Sequence, residues 1–390
     1  MRVGIITFHF AWNYGAVLQC LALSETLKKM GHEICVINYR PRYHVNQYSV
    51  LRNPIYYGGK AASKYKKSCT AKYLFAYLKG FISAIYSWRN YALYKKINKK
   101  FHQFTETWLC ETLLYRNLAE LREHPPDCDI YICGSDQIWN TTFTNGKLDP
   151  AYLLGFGPEQ ITRFSYAVSA NSLENYDFTQ AEQELLRKFH SVSLREEEYY
   201  PLLRRLLDAN TEIHIDVDPT LLLDENAYEK YMDQSISEKE PFLLLYTMNN
   251  EMRAKVYQAA HILSKQTGFM IIDISNSVDL MCDEKYSNRI CSPAEFLWYV
   301  KHSEFLLTNS FHGTVFSIIF EKNFVTMPNL DTGNRITEFL GKLNLSSHCT
   351  VDIETALLCF YKKINYSAAK MLISDLRKKS IEYLEKNTLI

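Results

Sequence analysis

The chain has 390 residues, too many for one ordinary hydrophobic core and enough for two domains of roughly 150 to 200 residues each. A hydrophobic fraction of 47% is globular, and a formal net charge of +1 excludes a surface built throughout for nucleic acid, which carries a strongly basic balance. The ten cysteines form no Cys-x-x-Cys pair and no Cys/His cluster at zinc-ligand spacing, so free thiols in a reducing compartment and no bound metal are expected.

The opening Met1-Arg2-Val3-Gly4-Ile5-Ile6-Thr7 enters a strand pattern directly, without an apolar signal core, and a cytoplasmic protein is expected. After the first strand, Val3 to Thr7, a glycine-containing turn leads to a helix over Ala16 to Met30. Val17, Leu18, Leu21 and Leu27 share one of its faces, and Gly31 closes it. Ile34 to Asn38 reads as a second strand. Regular alternation then stops in a tyrosine- and lysine-rich insertion, residues 42–105. Its most apolar stretch, Tyr73 to Trp88, is interrupted by Lys79 and is too short to span a bilayer.

From Pro41 to Thr105 there are 13 Lys or Arg and no Asp or Glu; with +1 for the whole chain, the remainder carries −12. Ten tyrosines and Trp88 lie in the same segment. Lysines mixed with aromatic rings settle at membrane interfaces, and basic clusters are drawn to anionic leaflets. The insertion is therefore expected to hold the protein on the inner face of a membrane. The alternative is a solvated basic helix packed on an acidic patch of the same chain.

Strand patterns resume at Asp129 to Cys133, Phe164 to Val168, Ser191 to Leu194 and Ile213 to Val217. The polar stretch Leu222 to Pro241 marks a boundary, and a second unit begins with strands at Phe242 to Tyr246, Met270 to Ile274 and Phe305 to Thr308. Ser292, Pro293 and Glu295 supply the N-cap, first-turn proline and capping box of a helix between the last two. Ser367 to Lys386 is again helical. The alternation predicts an α/β protein with parallel sheets, in three parts: 1–225 with the insertion, 226–365, and a terminal helix 366–390 that packs back on the first part.

Ligands of open parallel sheets bind beyond the carboxyl ends of the strands, where helix N-termini present N–H groups. There, Ser310-Phe311-His312-Gly313-Thr314 follows Phe305 to Thr308. His312 can bind phosphate or act as a general acid near neutral pH, or it can simply cap a helix. Ser310 and Thr314 offer hydroxyls, and Gly313 permits close backbone approach. Gly134-Ser135-Asp136-Gln137 ends a buried strand in a turn suited to an anion, with Asp136 a ligand contact or an N-cap. Arg195, just past a strand, suits bidentate capture of carboxylate or phosphate, or a salt bridge to the neighbouring glutamates. Arg335 offers a second cation or faces solvent. Asn13-Tyr14-Gly15-Ala16 follows the first strand and can meet either ligand, whereas Asp216-Val217-Asp218-Pro219-Thr220 reads as a strand end with a turn, in which Pro219 and Thr220 are structural. No G-x-G-x-x-G follows the first strand and no G-x-x-x-x-G-K-[ST] occurs, which removes the sequence support for dinucleotide and P-loop readings.

In order and spacing, Asn13-Tyr14-Gly15-Ala16-Val17-Leu18-Gln19, Gly134-Ser135-Asp136-Gln137, Ser165-Tyr166-Ala167-x-Ser169, Arg195-Glu196, Asp218-Pro219-Thr220-Leu221 and Ser310-Phe311-His312-Gly313 resemble the polysaccharide pyruvyl transferase family. The resemblance covers most of the chain outside the insertion. It implies two Rossmann-like domains facing across a cleft, as in B-type (GT-B) glycosyltransferases. Phosphoenolpyruvate would be the co-substrate, with no further cofactor, and would form a ketal on a sugar of a surface polysaccharide or its polyprenyl-diphosphate-linked precursor. His312 and Arg195 would be catalytic and, with Ser310, Gly313, Arg335, Gly134, Ser135 and Ser169, would hold the donor; Asn13, Tyr14, Gly15 and Asp136 would face the acceptor. A nucleotide-sugar glycosyltransferase of the same architecture and a non-catalytic scaffold are the competing readings.

Overall fold

The computed structural model describes residues 1–62, 70–170, 173–248, 252–276, 285–329 and 334–389. Cys69, Cys282, three insertion lysines (Lys64, Lys66, Lys67) and the Thr332-Gly333 loop ahead of Arg335 lie outside the described residues.

Two parallel sheets form the frame. The first contains β1 (Arg2–Ile6), β2 (Glu33–Val36), β3 (Ile130–Cys133), β4 (Thr162–Ser165), β5 (Ser191–Leu194) and β6 (Glu212–Ile215), in the order β2-β1-β3-β4-β5-β6. The second contains β7 (Phe242–Tyr246), β8 (Met270–Asp273), β9 (Tyr286–Asn288), β10 (Phe305–Thr308) and β11 (Phe324–Thr326), in the order β11-β10-β7-β8-β9. Central strands such as β7, with all five residues buried, read as continuous apolar runs because helices cover both faces. The α/β class, the two parallel sheets and the helical insertion are observed. Short β9 carried no sequence signal. The predicted strand Phe164 to Val168 ends at Ser165, because Ala167 adopts a left-handed φ of 44°.

In each sheet the strand order reverses once, between β1 and β3 and between β7 and β10. Ligand crevices open at such switch points, and here the two face one another. The contact between the sheets is apolar. Tyr14 stacks on Phe296 (4.5 Å between ring centroids) and donates to the Ile274 carbonyl (2.9 Å). Helix Tyr366–Thr388 runs back along the first sheet, where Tyr383 Oη donates to the Ser165 carbonyl (2.9 Å) and Ser380 Oγ accepts from Val217 N (3.1 Å).

The insertion folds as helices Arg42–Gln47, Pro54–Ala62, Thr70–Arg89 and Tyr91–Trp108. The last is its root: Ile97, Phe101 and Phe104 are buried in the main core, and Lys100 Nζ lies 2.6 Å from Glu295 Oε2. Glu295 therefore adds an ion pair to the capping box it completes with Ser292.

Candidate active site

A cavity of about 680 Å³ opens between the two switch points. Phe8, Ala11, Trp12 and Asn13 reach it from the loop after β1, and Asp136, Gln137 and Asn140 from the loop after β3. Met248 contributes after β7, and Asn309 to His312 after β10. The insertion adds Gln47 and Tyr48, and Arg335 completes the wall.

Two helix N-termini end here, one from each sheet. Asn13 caps helix Tyr14–Lys29, accepting from Gly15 N (2.9 Å), and Ser310 caps helix Phe311–Ile319, accepting from Gly313 N (3.4 Å). Neither first turn contains an acidic residue, so both positive dipole ends are left uncompensated by their own helices. The helices abut. A Cβ on Gly15 would fall inside the His312 ring, so only glycine at position 15 lets the imidazole of one unit rest on the first turn of the other.

Behind this junction is a buried charge cluster. Arg195 donates from Nη1 to Asp218 Oδ2 (2.7 Å) and from Nε to Glu196 Oε1 (3.1 Å), while Ser169 Oγ donates to the same Glu196 oxygen (2.8 Å). Asp218 Oδ1 accepts from Thr220 N (3.0 Å) and Thr220 Oγ1 (2.7 Å), and His312 Nε2 lies 3.4 Å from Asp218 Oδ2. Burial alone would raise the Asp218 carboxyl, but His312 and Arg195 outweigh it and hold the group well below the usual carboxylate range. Burial works against the Arg195 cation too; Glu196 and Asp218 reverse the effect and keep it charged. Its Nη2 is buried and makes no hydrogen bond. Phe311 lies against two guanidiniums, with Arg195 Cζ 4.8 Å and Arg335 Cζ 5.8 Å from its ring centroid. The Arg335 guanidinium is lowered from its ordinary value by burial and by Arg195, and its Nε makes no hydrogen bond.

The structure sorts the residues singled out in the sequence. Asn13, Asp136, Ser310, His312 and Arg335 line the cavity. Asp136 caps no helix; it sits at φ 75°, a strained conformation for a non-glycine residue and one that recurs at functional sites. Arg195 does not line the cavity. Its guanidinium is engaged by two carboxylates, buried rather than at the surface, and it shares Asp218 with His312. Ser169 is fully buried and reaches Arg195 only through Glu196.

Other expected contacts are corrected. Ser135 is fully buried, and its Oγ donates to the Ala167 carbonyl (2.7 Å) while Ser193 Oγ accepts from Ala167 N (2.8 Å). The two serines thus clamp the strained left-handed residue and do not face a ligand. Gly134 continues the sheet, donating to the Ile6 carbonyl (2.9 Å), with Ile5 and Thr7 where a side chain would stand. At Gly313 a Cβ would meet Thr308 and Tyr246, so the glycine serves helix-on-strand packing; Thr314 is buried against Thr326 (2.7 Å). Tyr14 is core, with 1% exposure. Gly15 receives His312 and does not face the acceptor. Asp218 and Glu196 were missed as members of the cluster, although both stand beside strand ends as Arg195 does. Trp12, Tyr48 and Asn140 were also missed; for Trp12, adjacency to Asn13 was the available signal.

Fold and site thus define an α/β protein with a cleft between two parallel sheets. The polysaccharide pyruvyl transferase family model matches residues 13–331, and the chain belongs to that family. No curated protein matches the sequence. Similar solved structures include the UDP-GlcNAc 2-epimerase of Neisseria meningitidis bound to UDP-GlcNAc, 11% identical with a TM-score of 0.49, over 99% of this chain and 100% of that one. The UDP-GlcNAc 2-epimerase of Methanocaldococcus jannaschii is 11% identical, with a TM-score of 0.46 over 96% and 99% of the two chains. A Streptomyces sp. SF2575 glycosyltransferase is 12% identical, with a TM-score of 0.41 over 99% of each. At these scores the likeness carries no argument about activity. Among the described residues no cluster of side chains suited to a metal occurs.

Proposed function

We propose that the cleft binds phosphoenolpyruvate and transfers its enolpyruvyl unit, as a ketal, to two hydroxyls of a sugar in a surface polysaccharide or its polyprenyl-diphosphate-linked precursor. Membership of the family supports the reaction class. The observation that carries the donor is the meeting of two helix N-termini, without first-turn acids, beside Arg335 and His312 on one cavity. A donor with both a phosphate and a carboxylate needs two separate anion receptors. The positive ends of the two helix dipoles and the Arg335 guanidinium supply them.

In the proposed chemistry the methylene carbon of the donor takes a proton and a sugar hydroxyl adds to C2. The C2–O bond to phosphate then breaks, phosphate leaves, and the second hydroxyl closes the ketal; the two hydroxyl protons are released as the two C–O bonds form. His312 is the residue suited to move a proton at the donor, held between Gly15 and the Asp218 carboxylate. Asp218 and Arg195 are positioning residues that act through it. Arg335 and the Phe311–Ile319 helix dipole oppose the charge that grows on the departing phosphate. Trp12, Tyr48 and Phe143 give the cavity wall aromatic faces on which a sugar ring packs.

The test is incubation of the full chain with phosphoenolpyruvate and a panel of nucleotide-linked and polyprenyl-linked sugars. Phosphate release together with a pyruvyl mass increment on one acceptor is expected. Turnover of a nucleotide sugar by a preparation that ignores phosphoenolpyruvate would overturn the reading.

A further inference from the structure

Helix Thr70–Arg89 packs the wrong way round for a water-soluble protein. Its buried side consists of small residues: Ala76, Gly80 and Ser87. A Cβ on Gly80 would overlap the backbone of Pro54 and Gly58, so the glycine lets helix Pro54–Ala62 approach to backbone contact. Ser83 and Ser87 are tied to Arg52, which donates from Nη1 to Ser83 Oγ and from its backbone N to Ser87 Oγ, each at 3.0 Å. Tyr77 lies against Gly58, but the other large side chains described on this helix point outward. Leu74, Phe75, Leu78, Phe81, Ile82 and Ile85, spaced by three and four residues on one helical face, are all more than half exposed, and Trp88 is 72% exposed at its end. An apolar face of that extent in water marks an interaction site.

Its surroundings select the partner. Lys72, Lys79, Arg89, Lys95, Lys96 and Lys99 are exposed around the face, and no acidic residue occurs between 41 and 105. Lys79 Nζ lies over the Phe75 ring (5.1 Å) and Lys95 Nζ over Tyr91 (5.8 Å), with Tyr86, Trp88 and Tyr91 exposed at the helix end. A second copy would bring an equally basic, acid-free face against this one. An anionic lipid surface supplies both what the apolar residues and what the lysines lack.

We propose that helix Thr70–Arg89 lies in the interface of an anionic bilayer, with Leu74, Phe75, Leu78, Phe81, Ile82 and Ile85 among the acyl chains and the surrounding lysines on the headgroups. No described helix is long and apolar enough to cross a membrane, so the contact is peripheral. The same insertion lends Gln47 and Tyr48 to the cleft wall, and Trp12 of that wall stacks on Tyr94 at the root of the insertion (6.0 Å). The lipid-facing helix and the cleft mouth are therefore parts of one element, and a lipid-linked sugar is delivered at the surface that holds the enzyme. Membrane docking stands independently of the donor.

Full-length protein is sedimented with vesicles of phosphatidylcholine alone and of phosphatidylcholine with phosphatidylglycerol, at low and high salt. Binding is expected only with the anionic lipid and weaker at high salt, where charges are screened beyond about 8 Å or less. Brominated lipid should quench a tryptophan signal that Trp88→Phe removes. A double substitution, Ile82→Asp with Ile85→Asp, should lower vesicle binding roughly tenfold or more. Its thermal midpoint and its turnover of a soluble acceptor should stay at wild-type values, which separates loss of docking from loss of fold or chemistry. Absence of binding to every vesicle overturns the proposal. So does light scattering that shows a dimer broken by the same double substitution, since the face then belongs to a second copy. Vesicle binding by a protein that ignores phosphoenolpyruvate would leave docking intact and remove only the donor reading.

Discussion

The charge cluster at the cleft and the insertion helix Thr70–Arg89 treat burial in opposite ways. In the cluster, Arg195, Asp218 and Glu196 are removed from water and compensated mainly by one another. In the helix, leucine, isoleucine, phenylalanine and tryptophan stand in water while glycine, alanine and serine face inward. Desolvating charge is costly and rarely improves stability over an apolar core of the same shape, so the cluster is kept for where it places atoms. Exposed apolar area adds nothing to folding either, so the helix is kept for what it touches. Substitutions should therefore separate the two: those in the cluster change turnover, those on the outer helix face change only location.

The largest effect is expected at His312. His312→Ala should lower turnover by roughly 10² to 10⁴ if the imidazole moves a proton, and wild-type turnover in a folded variant would remove His312 from the chemistry. Next is Asp218. Asp218→Ala leaves Arg195 short of its closer carboxylate in a buried site, and breaking such a pair costs about 3 to 5 kcal/mol. Urea denaturation reads that loss directly; a stable, active variant would mean that the cluster is not what holds His312. Arg195→Lys should fall nearly as far as Arg195→Ala, because an ammonium cannot span Asp218 and Glu196 as the planar fork does. Gly15→Ala comes third. The new methyl group displaces the imidazole, and a shift of about 1 Å can cost roughly 10²-fold in rate. A fall in kcat with KM little changed would sharpen the distinction between position and binding, whereas an unaltered kcat would show that the ring has room to move.

How much of this was legible follows the same division. The strands and their switch-point loops could be read because buried parallel strands are apolar runs that end in polar turns, and Asn13, Asp136, Ser310, His312 and Arg335 emerged from that rule alone. What the sequence could not give was direction. Ser135 and Asp136 are neighbours on one turn, yet Asp136 lines the cavity while Ser135 clamps Ala167, a difference set by the left-handed backbone of both Asp136 and Ala167. Gly15 and Gly313 read as openings for a ligand, but each is filled by protein: Gly15 by His312 from the opposite unit, Gly313 by Thr308 on its own strand. Asp218 read as a turn residue because its partners Arg195 and His312 are 23 and 94 positions away in the sequence. In the insertion, the basic and aromatic composition was plain, but which face the helix turns outward is decided by the contact of Gly80 with Gly58, which composition does not encode.

The smallest effect is expected at the buried end of the insertion, where its first helix meets the first sheet. His44 is 1% exposed, with its ring against Phe8 (4.6 Å), Tyr43 (4.4 Å) and Phe10 (5.3 Å), and neither ring nitrogen makes a hydrogen bond. Burial, with a smaller contribution from Lys60, pushes its pKa down to about 3. The unfolded chain protonates the same imidazole near pH 6.5. Between those values the unfolded state binds the extra proton, so the stability tied to a neutral His44 is complete above about 6.5 and falls as the pH drops. The slope for one such group is about 1.4 kcal/mol per pH unit once the pH is well below 6.5. His9 is buried in the same sense, lowered to about 3 by burial and Arg40, although Glu111 lies 3.5 Å from its Nε2. His348 and His32 are lowered by burial as well, so the loss of stability below about pH 6.5 is shared among these four histidines. His44→Phe replaces a ring with a ring in an aromatic cage and should remove its share of the loss measured by urea midpoints between about pH 6 and pH 5, leaving stability at about pH 7.5 nearly unchanged. If the slope is the same in the variant, His44 takes up its proton in the folded protein, and the dry root of the insertion begins further toward the sheet than His44.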